Sequence, residues 1–287
     1  MTRVLAALLC GLAIAASFGG AGAARPARVV SMNLCTDQLA MMLAAPGQLV
    51  SVSHLARDAR ASNLSARADA YEVNSGAAEQ VYLMAPDLVL TGEFTNRAGI
   101  QMLRRLGIRI KVVGAARSLE EVSDRIREVG ALLGRDHAAE AMVREYEAAL
   151  ASLDRRARDL TRDRAAYYYP NNYTSGSDTL GDEVLDRAGM DNVAADLGLS
   201  GATTLPLEVV VMQNPFLVRS AHISGGRTGR SYATLGHPAL RVLEAGGRSA
   251  EIAERWQVCG TPFVTRAIER LIAAREGSGA AGGGERE

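Results

Sequence analysis

Signatures of catalysis and of bound metal are missing from this sequence. No G-x-S-x-G or H-E-x-x-H occurs, which excludes the common nucleophile elbow and the zinc-protease pair. The glycine-rich stretch Gly225–Ser231 resembles a phosphate cradle only superficially, because it lacks the lysine of G-x-x-x-x-G-K-[ST]. Histidine is scarce: four residues with no close-spaced pair make a thin ligand set, and His137 and His237 read as surface positions. Charge of one sign is also lacking. Thirty-two Lys and Arg balance 32 Asp and Glu, so no basic surplus points to nucleic acid. Apolar content of 48% with 22% charged residues is ordinary for a soluble globular chain and excludes both disorder and a polytopic membrane protein.

Cysteine is nearly absent as well, and the first of the three lies in a distinctive N-terminus. Arg3 precedes an apolar run from Val4 to Phe18, followed by small residues ending Ala21-Gly22-Ala23. The run is shorter than the roughly 20 residues that span a bilayer, so residues 1–23 read as a secretory leader cleaved near Ala23/Ala24. Cys10 would be lost with it. Cys35 and Cys259 then remain in an exported, oxidising compartment, where they form one bridge, stay as two buried thiols, or contact a metal or ligand.

What the sequence does contain is a unit that occurs twice. Glu79, the apolar Val81, Leu83 and Met84, then Pro86 and Leu88-Val89-Leu90 are echoed by Glu208, Val209 to Met212, Pro215 and Phe216-Leu217-Val218. In both copies Pro follows Glu by seven residues, and the copies lie 129 residues apart. Proline cannot continue a helix, so each copy reads as helix, stop, buried strand. The spacing is too long for a solenoid repeat and suits a duplicated α/β lobe.

Around these units strands alternate with helices. Val29–Ser31 is a strand, Thr36 a helix N-cap, Leu49–Ser53 a strand ending at His54, and 57–74 a surface loop with at most a short helix. After strand Leu88–Thr91 come the turn Gly92-Glu93-Phe94, a helix near Arg97–Leu106 and strand Ile108–Val113. Ser118 and Glu121 make a capping box. A long helix from Asp136 to Leu160 carries Ala139, Met142, Val143, Tyr146, Leu150, Leu153 and Ala157 on one face. The pattern then restarts with strand Ala165–Tyr169, a turn through Asn171 and Tyr173, helix Leu180–Ala188, strand Phe216–Ser220 ending at His222, a helical run His237–Leu243 and a final helix Val264–Ala274. Alternation at this spacing predicts parallel sheets whose carboxyl ends gather ligands.

RVVSMNLCTDQLAMML, the twin Glu-to-Pro units, RLGIRIKVV, the long helix and RWQVCGTPFVTRAIERL together resemble periplasmic substrate-binding proteins of ABC importers, in the group that carries iron complexes and cobalamin. The resemblance implies two Rossmann-like lobes, each with a central mainly parallel sheet, joined by a single long helix. Its expected boundaries are a lobe over 24–135, the connecting helix over 136–160, a second lobe over 161–275 and a disordered tail over 276–287. It also implies a monomer that holds a metal chelate between the lobes, needs no cofactor of its own, and docks on a permease and its ATPase through one acidic residue per lobe. Glu79 and Glu208 match those positions and are expected to face away from the cleft.

Cleft candidates at the strand-end turns are Met32, Asn33, Leu34, His54, Glu93 and Phe94 in the first lobe, and Tyr169, Asn171, Tyr173, His222, Arg227, Arg230 and Trp256 in the second. Tyrosine and tryptophan offer wide walls with a polar handle, and arginine suits anionic groups. Because Tyr167–Tyr169 alternate faces in a strand, they cannot all face the cleft. The readings rank as a ferric siderophore or related iron complex first, a corrinoid second, and a free transition-metal ion on His54, His222 and Cys35 third. An exported hydrolase comes last.

Overall fold

The structure is a computed structural model that describes residues 25–221 and 234–282. The leader and the tail beyond residue 282 lie outside the described residues, as do His222, Arg227 and Arg230. The first lobe runs through β1 (Val29–Ser31), α1 (Leu34–Leu43), β2 (Leu49–Ser53), α2 (Ser65–Ala68), β3 (Glu72–Asn74), α3 (Ala78–Leu83), β4 (Leu88–Gly92), α4 (Arg97–Arg105), β5 (Ile110–Val113) and α5 (Leu119–Leu133). Its sheet has the order β3-β2-β1-β4-β5 with every pairing parallel. Strand β3 falls inside the stretch expected to be a loop. It is three residues long at a sheet edge, too short to show a period, and is held by Asn74, whose Nδ2 donates to Ser31 O (2.8 Å) and Ser51 Oγ (2.9 Å).

Helix α6 (Asp136–Arg158) follows, and its buried face carries Ala139, Val143, Tyr146, Leu150, Leu153 and Ala157, as the periodicity predicts. At 1.5 Å per residue its 23 residues span about 35 Å. The second lobe comprises β6 (Asp163–Tyr168), β7 (Tyr173–Ser175), α7 (Leu180–Arg187), β8 (Met190–Asn192), α8 (Val193–Asp196), β9 (Ala202–Thr204), α9 (Leu207–Gln213), β10 (Phe216–Ala221), α10 (Pro238–Ala245), β11 (Ser249–Ala253) and α11 (Val264–Gly282). The parallel order β11-β10-β6-β8 reproduces β5-β4-β1-β2 of the first lobe, and β7 and β9 form a small antiparallel pair beside it. Helix α11 continues to Gly282, past the point where disorder is expected.

The duplication extends to backbone conformation. Ala85 (φ 46°) and Asn214 (φ 45°) both adopt the left-handed region, each immediately before the proline of its unit. One face of each sheet is covered by its unit helix: Val81 packs with Val30 and Val89, and Val210 with Ala166 and Leu217. The opposite faces share one continuous apolar core that runs through α6 and joins the lobes.

Two caps differ from expectation. Asn33, not Thr36, caps α1 by accepting from Cys35 N at 2.9 Å, while Thr36 is buried with its Oγ1 2.7 Å from Ser31 Oγ. Ser118 does cap α5, but Glu121 reaches back to Arg117 N (2.9 Å). Ala85 carries the left-handed conformation at a cost of about 1 kcal/mol that glycine would avoid. Ala85→Gly should therefore raise the free energy of unfolding by about 1 kcal/mol in urea denaturation. A fall in stability would show that this turn is held in another conformation.

Candidate functional site

In the main sheet of each lobe all strands point one way, so their carboxyl ends converge on a single edge. The turns after β6 and β11 bring Tyr169, Pro170, Tyr173, Glu254, Gln257 and Val258 around a cavity of about 690 Å³, with Ala116 closing it from the first lobe. Ser175, Thr179 and Gly181 complete its wall. That size suits a bulky small molecule.

The tyrosines are placed by strand alternation. Tyr167 and Tyr169 share one face with rings stacked 5.4 Å apart at 11°, while Tyr168 points to the other side, is buried, and donates to Asn172 Oδ1 at 2.9 Å. Gln257 ties the stack together, accepting from Tyr167 OH at 3.0 Å and donating to Tyr169 OH at 3.3 Å. Burial pushes the phenols of Tyr167 and Tyr169 well up, so the stack stays un-ionised; Tyr169 lines the cavity, and Tyr167 is fully buried and does not. Thr174, also at the wall, is buried with a hydroxyl that has no protein partner.

Of the candidates, Tyr169 and Tyr173 line the cavity. Trp256 sits between lining residues, half-buried against the shared core, and its buried Nε1 has no protein partner. Asn171 is exposed at a left-handed turn position (φ 58°). In the first lobe Met32 and Leu34 are buried, Asn33 serves as a cap, and His54 and Glu93 are exposed. Phe94 is 90% exposed. None of these six lines this cavity. Glu254, Gln257, Thr174 and Ser175 lie in or beside β11 (SAEIA) and β7 (YTS), strands of five and three residues that are too short to show a clear period. The Gly260–Pro262 punctuation was the available signal.

Cys35 and Cys259 are joined in a disulfide, with Cα atoms 4.8 Å apart, which takes the Cys35 thiolate out of any metal set. Among the described residues no group of three or more His, Cys, Asp and Glu could hold a metal ion. The bridge lies in a seam between the lobes. Leu34, Ala61 and Cys259 pack together, Arg255 Nη1 donates to Ala59 O (2.9 Å), Asn63 Nδ2 donates to Arg255 O, and Leu119 N donates to Glu183 Oε2 (2.6 Å). Gly260 (φ 52°) lies so close to Ala116 that an added Cβ would come within 2.6 Å of it.

Beneath α1, Asp37 is buried and accepts from Ser53 Oγ (2.5 Å) and Ser53 N (3.1 Å). Burial outweighs these bonds and pushes its carboxyl up to about 7. The folded chain thus holds a proton that the unfolded chain has released, and Asp37 costs stability progressively as pH rises from about 4 to 7, after which the loss is constant. The difference in melting temperature between Asp37→Asn and the parent should widen in the variant's favour across that range. A constant difference from pH 4 to 8 would contradict it.

The glutamates of the twin unit, Glu79 and Glu208, are both exposed, near the starts of α3 and α9. Each of these helices runs toward the amino edge of its sheet, so the glutamates lie toward the carboxyl edge, nearer the cleft rim than expected.

A family profile described as "Periplasmic binding protein" matches residues 29–227. The chain is 28% identical over 196 residues to a cobalamin-binding protein of Halobacterium salinarum, covering 67% of this chain and 53% of that one. It is 30% identical over 146 residues to an uncharacterized ABC transporter substrate-binding lipoprotein, YvrC, of Bacillus subtilis, covering 48% and 46%. The chain thus spans about half the length of the curated relatives it matches. Among solved structures, the periplasmic heme-binding protein RhuT of Roseiflexus superposes with TM-score 0.74 at 22% identity, over 88% of this chain and 98% of that one. The vitamin B12 binding protein BtuF of Vibrio cholerae superposes with TM-score 0.67 at 17% identity, over 89% and 98%. At these identities the superpositions speak for the fold.

Proposed function

The chain belongs to the periplasmic binding protein family, and on that footing we propose that it captures a metal chelate in the cavity beside Tyr169 and delivers it to an ABC permease and its ATPase in the inner membrane, acting from the periplasm as a monomer without turnover. The observation that carries the choice of ligand is the neutral wall. Tyr169, stacked on the buried Tyr167, lines the cavity with Tyr173, Gln257, Ser175 and Thr179, a wall of aromatic area and uncharged polar groups, and Glu254 is the one charged residue among those lining it. Such a wall suits a bulky chelate fringed with amides and hydroxyls better than a polyanion, because a buried anion without a partner is costly. We therefore place a corrinoid ahead of a ferric siderophore, an order in keeping with the cobalamin-binding relative. Arg227 and Arg230, whose side chains would suit an anionic chelate, lie outside the described residues. A free transition-metal ion and a hydrolase are less well supported.

The test is gel filtration of the purified protein with hydroxocobalamin and, separately, with ferric siderophores, read by absorbance. A one-to-one corrin band with the ligand recovered unaltered is expected; ferric loading without corrin binding would reverse the order, and a changed product would sink the transport reading. Tyr169→Ala and Gln257→Ala should each weaken hydroxocobalamin binding about tenfold or more.

The same reading assigns permease docking to Glu79 and Glu208. Charge reversal at both should abolish import while leaving affinity for hydroxocobalamin intact. Lost chelate binding in that variant would place the two carboxylates in the cleft.

A further inference from the structure

The two docking helices share more than a glutamate. The same pattern of burial and exposure recurs at matching offsets from the two glutamates. Val81 and Val210, two residues after Glu79 and Glu208, are fully buried beneath their helices. Tyr82 and Val211, the next residues, are 45% and 40% exposed. Leu83 and Met212, four residues after the glutamates, are 82% and 81% exposed.

Residues four apart on a helix stand one above the other on the same face. Each lobe therefore presents a carboxylate with a large, solvent-exposed aliphatic side chain one turn away. A single exposed leucine needs no explanation. Two such residues, at matching positions of a duplicated unit whose sequences otherwise differ, are harder to leave to chance. The inward valines already fill the space beneath each helix in their separate apolar clusters, so neither Leu83 nor Met212 is needed for the core.

We infer that Leu83 and Met212 are paired anchors that seat the two lobes on the permease, each entering an apolar socket beside a basic group that receives the neighbouring glutamate. This rests on the docking reading above and adds the apolar half of the contact. The partner it fits has two like sockets, each with an arginine or lysine at its rim, as a symmetric pair of membrane subunits would supply. Charge complementarity steers the encounter, and the desolvated aliphatic side chain slows dissociation. A carboxylate alone, screened at physiological salt, would hold the complex weakly.

The test uses the full chain and its permease–ATPase complex in nanodiscs, with binding followed by surface plasmon resonance. Leu83→Gln and Met212→Gln should each raise Kd about tenfold, mainly through faster dissociation, while the dependence of association on salt is unchanged. Glu79→Gln and Glu208→Gln should instead flatten that salt dependence. All four variants should melt like the parent and bind hydroxocobalamin equally well. If the glutamate variants weaken docking and the aliphatic ones do not, the anchors are disproved and the docking reading stands. If none of the four changes Kd, both fail. A shift of the parent from dimer to monomer on Leu83→Gln or Met212→Gln, with unchanged permease binding, would overturn the inference and assign the face to a second copy of this chain.

Discussion

The two lobes are joined covalently at two separated places, and the cavity between their turns depends on both. One connection is the chain itself, passing from α5 into the long helix α6, whose apolar face is part of a single core shared by both lobes. The other is the bridge from Cys35, in the first turn of α1, to Cys259, just before α11. A bridge closing 224 residues removes much denatured-chain entropy, up to roughly 5 kcal/mol in the loop-closure account. Its mechanical effect matters more here. With Arg255 and Asn63 bonded across the same seam and Gly260 against Ala116, the segment that carries Glu254 and Gln257 is fastened to the opposite lobe. Large hinge opening would have to break that seam.

That rigidity explains how a modest set of groups could select a ligand. Gln257 orients two stacked tyrosines by hydrogen bonds, and burial keeps their phenols neutral. The entropy of ordering this wall is spent during folding, leaving less to lose on binding. Helices α3 and α9, which carry Glu79 and Glu208, lie on the sheet faces packed through Val81 and Val210.

Much of this was legible in the sequence, for identifiable reasons. The Glu-to-Pro units announced the duplication because proline fixes a helix stop by covalent geometry, and the long periodic face of α6 left little room for another reading. The parallel sheets followed from alternation of strands and helices. The cleft was less legible. At the end of β1, Met32 and Leu34 are buried and Asn33 caps α1, while Tyr169 and Tyr173 at the end of β6 line the cavity. A strand-end position permits access to a ligand without requiring it. Glu254 and Gln257 escaped notice because β11 is held by pairing with β10, a long-range contact that leaves no local period. The partner of Cys35 was open for the same reason: a bridge is decided by three-dimensional proximity.

Trp256 offers the most direct measurement of the central claim, that the chelate is held against the neutral wall of the second lobe. It is the only tryptophan in the chain, packed against the shared core and flanked in sequence by Glu254 and Gln257, which line the cavity. Titration with hydroxocobalamin, whose absorption overlaps indole emission, should quench Trp256 fluorescence in step with binding measured by equilibrium dialysis. Stoichiometric binding that leaves Trp256 emission unchanged would place the ligand elsewhere and contradict the account.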